Sequence, residues 1–457
     1  MVLDEIFERF AEQSPVTVMA RAALEHALSP RVIDALFERT ARRQYTRTLL
    51  FSTIVDLMGT VVCNVRPAIH AAFQANAEAI GASLRAVYDK IDRTEPGLSA
   101  ELVRHTARTL GPVITAMGGE RAAWLPGYPV KVLDGNHLAG TEHRLKELRT
   151  TGAGALPGHA LVVLDPQAML VTDVFPCEDG HAQERSLLDQ VLETIHSGEV
   201  WIADRNFCTT GFLFGIARRG GYFVIRQHQV TLHVEWVGRR RPCGRTETGM
   251  VFEQEVRLGD GSGGTMSVRR ITVELDKPTR DGETEIHILT NLPAEVANAV
   301  AVAELYRRRW TLEAAFGELA TCLSGEVNTL GYPKAALFAF CVALVAYNIL
   351  GVVKAALRSV HGDEAVEEVS GYYLADEIAG THRGMMIAIP ADEWVVFAGL
   401  TPSALGQVLR GLAAKVRLAQ FRKHRRGPKR PQPKRASGAG VSHVSTARLL
   451  AERKKRT

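Results

Sequence analysis

The sequence predicts an α/β protein in which a helical N-terminal domain precedes a core of mixed strands and helices, and an antiparallel β insertion interrupts that core. Three observations predict this fold class. Apolar residues recur at helical spacing up to about Gly118, short β-rich runs alternate with helical patterns after Pro126, and polar and apolar residues alternate between Val230 and Leu292. With 457 residues, 46% of them hydrophobic, the chain is long enough for two or three domains.

The first 124 residues are expected to form the helical N-terminal domain. Within it, residues 81–107 hold two short helical patterns around a turn at residues 93–97. Ser99 is a candidate cap for the second helix, and Glu101 would then lie in its first turn. The pair resembles a helix-turn-helix, so it is either a DNA contact or an ordinary pair of packed helices.

Residues 125–228 are expected to form the first part of the α/β core. Their β-rich runs and helical patterns alternate in the order βββαβαβ. The strand predictions are PVKVLD at 129–134, HALVVLD at 159–165, AMLVTDVF at 168–175, VWIAD at 200–204 and YFVIR at 222–226, with helices at 186–196 and near 210–219.

Residues 229–292 are expected to form the β insertion, and residues 293–360 the second part of the core, in which a helix runs from Ala294 past Glu313. A helical region is expected at 361–414. The uncharged run from Ala335 to Val353 is about as long as a membrane span. Its alanine content and Asn348 favour a buried helix instead, and no membrane association is predicted.

The charge of the chain is concentrated in its tail, residues 415–457. This segment has 15 Lys or Arg and one acid, Glu452, for a net +14, whereas the remainder has 40 basic and 49 acidic residues, a net −9. Such a tail suits a polyanion and has little to bury, so we predict that it is disordered until it meets a phosphate backbone. The alternative is a solubilising end.

Cysteine spacing and the N-terminus indicate the compartment. The six cysteines are scattered, without the close pairs of a zinc or redox site, and the first residues, MVLDEIFERF, lack the features of a secretion signal. A reduced, cytoplasmic setting is expected.

Three acids are candidates for one catalytic site. Asp134 ends the first predicted strand and Asp204 the fourth, so the two carboxylates would be neighbours if their strands pair in one sheet. Glu313 lies on a later helix that could pack across the sheet. Three carboxylates suit two Mg²⁺ or Mn²⁺ ions, because these metals prefer oxygen ligands and leave positions for phosphate and water.

The helix around Glu313 adds further candidates. Helical spacing places Tyr306, Arg309, Trp310 and Glu313 on one face, so that Arg309 can orient Glu313 or a phosphate. Trp310 is interpreted as a packing residue. Phosphoryl transfer requires a positioned nucleophile and neutralised charge, which metals and one arginine would supply.

The spacing of Tyr306, Arg309 and Glu313 resembles the signature helix of DDE transposases of the insertion sequence four family. The segments DGNHLAGTEHRLKELR around Asp134 and ADRNFCTTGFLFGIARRGGYFVIR around Asp204 resemble that family's first two catalytic blocks, so the resemblance covers about 125–350. It implies a ribonuclease-H-like core and metal-dependent cut-and-paste transposition. It also implies DNA partners, namely transposon ends and target, a homodimer on paired ends, and a nucleoid-associated location.

The chain departs from the family pattern at two positions. The family has a lysine seven residues after the glutamate, where this chain has Ala320, so Lys334 or the basic tail would have to replace its grip on the transposon end. Hairpin-forming relatives use a tryptophan in the insertion, where this chain has Ile286. Trp236 is either its replacement or an ordinary core or edge aromatic residue.

Other polar residues near these strands have open roles. His137 is interpreted as structural, since Mg²⁺ disfavours imidazole. Asp165 and Asp173 would be the first substitutes if Asp204 lay far from Asp134. The charged loop of Glu142, His143, Arg144 and Lys146 is either a DNA contact or a solvated connection, while Arg307 and Arg308 would face solvent or DNA.

Two other functions fit part of the sequence. A transposase descendant that binds DNA without cutting would keep the basic tail and the helical domain. A nuclease without strand transfer would use the same three carboxylates.

Overall fold

A computed structural model of the chain describes residues 5–44, 48–228, 232–279, 281–424 and 443–456. Before the first strand it has the helices α1 (Glu5–Gln13), α2 (Pro15–Leu28), α3 (Pro30–Thr40), α4 (Phe51–Val62), α5 (Ile69–Ile80), α6 (Leu84–Ile91) and α7 (Pro96–Ala116). Later helices are α8 (Leu188–Leu192), α9 (Thr210–Arg218), α10 (Ala299–Arg307), α11 (Trp310–Cys322), α12 (Pro333–His361), α13 (Asp363–Glu367), α14 (Gly371–Ala388), α15 (Ala391–Ala398), α16 (Pro402–Ala413) and α17 (Thr446–Arg456).

Strands of the core and the insertion join in one continuous sheet. The strands are β1 (Val130–His137), β2 (Gly154–Leu156), β3 (His159–Asp165), β4 (Leu170–Cys177), β5 (Val200–Ala203), β6 (Tyr222–Arg226), β7 (His233–Trp236), β8 (Arg241–Thr246), β9 (Gly249–Gly259), β10 (Thr265–Leu275), β11 (Glu285–Thr290) and β12 (His443–Ser445). Within the described residues, the sheet order is β4-β3-β1-β5-β6-β11-β10-β9-β7, with β8 also on β9, while β2 pairs with β12.

The five core strands form as the hydrophobic pattern predicts. β3 and β6 coincide with their predicted runs, and β1 continues three residues beyond Asp134, through His137. β1, β5 and β6 are parallel, and β3 and β4 are antiparallel to their neighbours. The long apolar runs of β3 and β5 are buried, because helices cover both faces of this part of the sheet.

α12 is the central helix of the largest core. It is long and apolar enough to cross a membrane, yet 94% of its most apolar stretch is buried against other parts of the chain, so the buried interpretation is confirmed. Asn348 is fully buried and forms two hydrogen bonds with the backbone of Val171, accepting at 2.7 Å and donating at 2.9 Å. The side chain thus satisfies both polar groups of one residue of β4.

The helices of residues 1–124 and 361–414 share this core. Buried side chains of α2, α4, α7, α14 and α16 pack around α12 in a single cluster. The predicted domain boundaries themselves remain predictions.

The helix-turn-helix-like segment differs from its prediction. α7 begins at Pro96, so Ser99 is a buried residue inside the helix and Glu95, not Ser99, occupies the N-cap position. The helix packs on α12 and β4 along most of its length. This burial favours a core helix over a recognition helix.

The predicted continuous helix past Glu313 is also wrong in detail. It starts at Ala299, and a tight turn at Arg308 and Arg309 separates α10 from α11. The amide of Arg309 donates to the carbonyl of Tyr306 at 3.0 Å, an i to i−3 bond of the kind that tightens helix ends.

Disorder was predicted for the whole tail, and that prediction is wrong for its described parts. Residues 415–424 are ordered after α16, and residues 443–456 form β12 and α17. Residues 425–442, which contain most of the FRKHRRGPKRPQPKR stretch, lie outside the described residues. The end of the chain is ordered because its strand and two ion pairs dock on the α/β core.

Candidate active site

Asp134, in β1, and Asp204, just after β5, lie side by side in the middle of the sheet. β1 and β5 are parallel and pair Leu133 with Ala203, so each aspartate is the next residue in register. Alternation along β1 places Asp134 on the same face as Val132, which belongs to the core that includes Leu312 of α11. Asp134 lies inside β1 and not in a surface turn, and its Oδ1 accepts from the amide of Gly135 at 2.9 Å.

Arg309 joins the first and third predicted acids. Its guanidinium donates to Oδ2 of Asp134 at 2.7 Å and to Oε1 of Glu313 at 2.9 Å. The Arg309 side chain is only 7% exposed, whereas that of Glu313 is 38% exposed. Arg309 precedes the first turn of α11, and the i, i+4 spacing along that turn aligns it with Glu313.

Tyr306 connects the second acid to the same group. Its hydroxyl donates to Oδ1 of Asp204 at 3.3 Å, and its ring lies 6.0 Å from the Arg309 guanidinium. The phenol is buried by the core beneath the sheet, as expected of a residue in the last turn of α10. The structure therefore gathers all five predicted site residues.

The site carries an excess of negative charge. Burial raises the pKa of Asp134 to about 6, and the neighbouring Glu313 and Asp204 add to the rise, while Arg309 and the Gly135 amide oppose it. Burial lowers the pKa of Arg309, but Tyr306 and the three carboxylates outweigh burial and raise it overall. Burial also raises the pKa of Tyr306, so the phenol stays protonated and can donate.

The donor set fits divalent cations, although the side chains are arranged around Arg309. Among the described residues, no three His, Cys, Asp or Glu side chains lie close enough to hold one metal ion. Arg309 faces all three carboxylates, and Arg226 also lies close enough to Asp204 for that carboxylate to raise its pKa. Oxygen ligands with unbalanced charge suit Mg²⁺ or Mn²⁺.

Several sequence candidates have other partners. Asp165 pairs with Lys131 at 3.1 Å, and Asp173 pairs with Arg104 at 2.5 Å, so neither is needed as a substitute for Asp204. His137 stacks on His159 with ring centroids 5.0 Å apart, consistent with its structural interpretation.

The two tryptophans that the sequence analysis singled out, Trp310 and Trp236, are both exposed. Trp310, expected to pack, is 59% exposed beside Arg309, which lies 5.3 Å from its ring. It points away from the core because the turn before α11 breaks the helical face predicted for it. Trp236 is 55% exposed on the edge strand β7, with Arg270 5.0 Å from its ring, so it is an edge aromatic.

Two polar residues near the site were missed. Glu184 lies over Gly135, where an added Cβ would fall 1.9 Å from its Oε1, and its other oxygen accepts from Asn206. Arg226 ends β6 next to β5. Burial lowers the pKa of Arg226, but its hydrogen bond with Glu283 raises it more, together with the charges of Tyr306 and Asp204. The strand-end rule that identified Asp204 could have identified Arg226, whereas no pattern singles out Glu184.

Comparison with known proteins agrees with this geometry. Residues 125–349 match the family model described as transposase DDE domain. One similar solved structure is the cryo-EM structure of the piggyBac transposase synaptic complex with hairpin DNA, with 11% identity, 84% coverage of each chain and a TM-score of 0.38. That score is too low to support a structural conclusion. No curated protein sequence matches significantly. This match shows that the protein is a DNA transposase with a DDE domain, an enzyme that acts on DNA.

Proposed function

We propose that this transposase belongs to the insertion sequence four type and carries out cut-and-paste transposition with a ribonuclease-H-like core. The sheet order β4-β3-β1-β5-β6, with the first three strands antiparallel and the last three parallel, supports that core. The observation that carries the proposal is the Arg309 bridge. It brings acids 179 positions apart in the sequence, Asp134 and Glu313, onto one guanidinium.

Asp134, Asp204 and Glu313 would hold Mg²⁺ or Mn²⁺, in a two-ion site. When bound, such ions supply a nucleophilic hydroxide from water and neutralise charge on the phosphate. The chain's own residues prepare the site for DNA. Tyr306 holds Asp204 in orientation, and Arg309 keeps Asp134 and Glu313 from repelling each other.

The same site would serve two reactions. Hydrolysis breaks the bond between phosphorus and the 3′ oxygen at the element's end, with water as nucleophile, and frees a 3′ hydroxyl. That hydroxyl then attacks a phosphorus atom of target DNA and displaces its 3′ oxygen. Each step exchanges one phosphoester bond for another bond to phosphorus, so neither needs an oxidant or an energy source. Two ends must be joined together, so we also propose a homodimer, acting on DNA in the nucleoid.

The test uses a donor plasmid that carries the coding sequence with its natural flanking DNA. Purified full-length protein is incubated with this donor, a target plasmid and Mg²⁺ or Mn²⁺, and excised and joined products are resolved on gels. Wild type is expected to excise and join, and Asp204→Asn to do neither. The matched control is Asp165→Asn, which changes an acid of the same sheet that pairs with Lys131.

Three outcomes contradict parts of the proposal. Equal cleavage by Asp204→Asn and wild type removes Asp204 from the site. Cleavage without joining indicates a nuclease. Binding of DNA without any cleavage, under either metal, indicates a protein that has lost the reaction.

A further inference from the structure

Residues 443–456 dock on the connection between β1, which contains Asp134, and β3. β12 adds to β2 as a parallel strand, pairing Val444 with Ala155, and β2 belongs to the connection between β1 and β3. Ser445 and Thr446 are buried where β12 passes into α17. A strand held by backbone bonds fixes the direction of the helix that follows it.

Two ion pairs fasten α17 to the core at different points. Arg448 donates to Asp179 at 2.6 Å, just beyond the end of β4, and Arg453 pairs with Glu147 in the β1–β2 connection. Strand register shows where these anchors lie. His137 pairs with His159, which pairs with Cys177. Asp179 therefore lies at the same end of the strands as His137, the end toward which β1 continues past Asp134.

Some of the basic residues of α17 form ion pairs with the core, and others are exposed. α17 contains five basic residues and one acid, Glu452. Arg448 and Arg453 are neutralised by the two ion pairs, while Lys454 and Lys455 are exposed. The β1–β2 connection that α17 contacts through Glu147 adds its own exposed cations, Lys146 and Arg149. Two segments distant in sequence, joined by the pair of Arg453 with Glu147, therefore each carry exposed cations.

We propose that Lys146, Arg149, Lys454 and Lys455 form a binding surface for the DNA backbone beside the cleavage site, with α17 docked by β12, Asp179 and Glu147. This flank-binding surface rests on the proposed function, since it serves the duplex on which the three carboxylates act. Its partner is duplex DNA read through its phosphates, because the exposed groups are flexible ammonium and guanidinium cations. The family that the chain resembles has a lysine where this chain has Ala320, which is exposed on α11. The flank-binding surface would supply positive charge that this alanine lacks.

The first test measures DNA affinity of full-length protein as a function of salt. The probe is a fluorescein-labelled 30-base-pair duplex cut from the flanking DNA, and the variant is Lys454→Gln with Lys455→Gln. Loss of two phosphate contacts is expected to reduce the slope of log Kd against log salt by about 1.8, which weakens binding roughly sixtyfold at 0.1 M salt when the affinities at 1 M salt are equal. The charge-matched control is Arg410→Gln with Lys415→Gln, two exposed cations at the end of α16, which should leave the slope unchanged.

A second variant separates docking from total charge. Asp179→Asn with Glu147→Gln removes two acids, so a purely non-specific charge effect predicts tighter DNA binding. If α17 must be docked, binding instead weakens, because the helix loses both of its ion pairs. Tighter binding by this variant, or a slope for the lysine variant equal to that of wild type, overturns the flank-binding surface. Either result beside normal wild-type excision leaves the proposed function intact, whereas a wild-type protein that never cleaves contradicts the proposed function alone.

Discussion

Replacing Arg309 with methionine should destabilise the fold, because it leaves two carboxylates without their shared partner. Methionine keeps most of the side-chain volume, so the change removes charge and hydrogen bonds more than packing. The bond to Asp134 is 2.7 Å long between side chains that are 7% and 17% exposed, and loss of such a buried partner costs about 2–3 kcal/mol. The bond to Glu313 is half-exposed and adds under about 1 kcal/mol.

Thermal unfolding of the metal-free protein measures this loss. For a chain of 457 residues, a total loss of about 3 kcal/mol corresponds to a melting temperature lower by roughly 3 °C. The matched control is Arg308→Met, because Arg308 is exposed and faces Trp124 at 5.8 Å, and it should change stability by under about 0.5 kcal/mol. The double variant with Asp134→Asn should recover about 2 kcal/mol of the loss, since asparagine needs no counterion.

Two results would refute the reasoning. Equal melting temperatures for the Arg309 and Arg308 variants would show that the bridge does not neutralise the site. Strict additivity of Arg309→Met and Asp134→Asn would show that the two side chains do not interact in solution.

Three further predictions concern other parts of the molecule. Trp310→Ala should weaken binding or cleavage of the flanking duplex about tenfold with no fall in melting temperature, because an exposed aromatic ring beside the site can stack on a base. A lower melting temperature with unchanged DNA binding and cleavage would contradict this prediction. Asn348→Ala should cost about 2–4 kcal/mol in urea unfolding, because both backbone groups of Val171 lose their partner, and a loss below about 1 kcal/mol would contradict it. Burial, with repulsion from Asp89, raises the pKa of Asp92 to about 7, so its ionisation opposes folding progressively from about pH 4 to pH 7 and fully above pH 7. Asp92→Asn should therefore increase the free energy of unfolding by about 1–2 kcal/mol at pH 8 and leave it unchanged near pH 4. An equal effect at both pH values would contradict the raised pKa.

Local pattern was sufficient to predict the strands of the core and the residues that the fold gathers around Arg309. β3 and β6 match their predicted runs because their apolar residues are consecutive and bounded by turn signals. Strand ends and helical spacing made Asp134, Asp204, Tyr306, Arg309 and Glu313 candidates, and the resemblance of their three segments to one family predicted that they belong to one site. Burial of α12 was predictable from its alanines and Asn348.

Tertiary structure alone decided the features that depend on partners distant in sequence. The charge pattern of the tail predicted disorder, but Asp179 and Glu147 supply its docking sites, and nothing near residues 443–456 encodes them. Glu184 reached Gly135 only through packing of the segment after β4. Sequence by itself determined which residues could perform the chemistry, because side-chain type and period are written in it. Only the fold decided which of them share a guanidinium, a buried face or a DNA-facing surface, because those depend on distances between segments that the chain brings together when it folds.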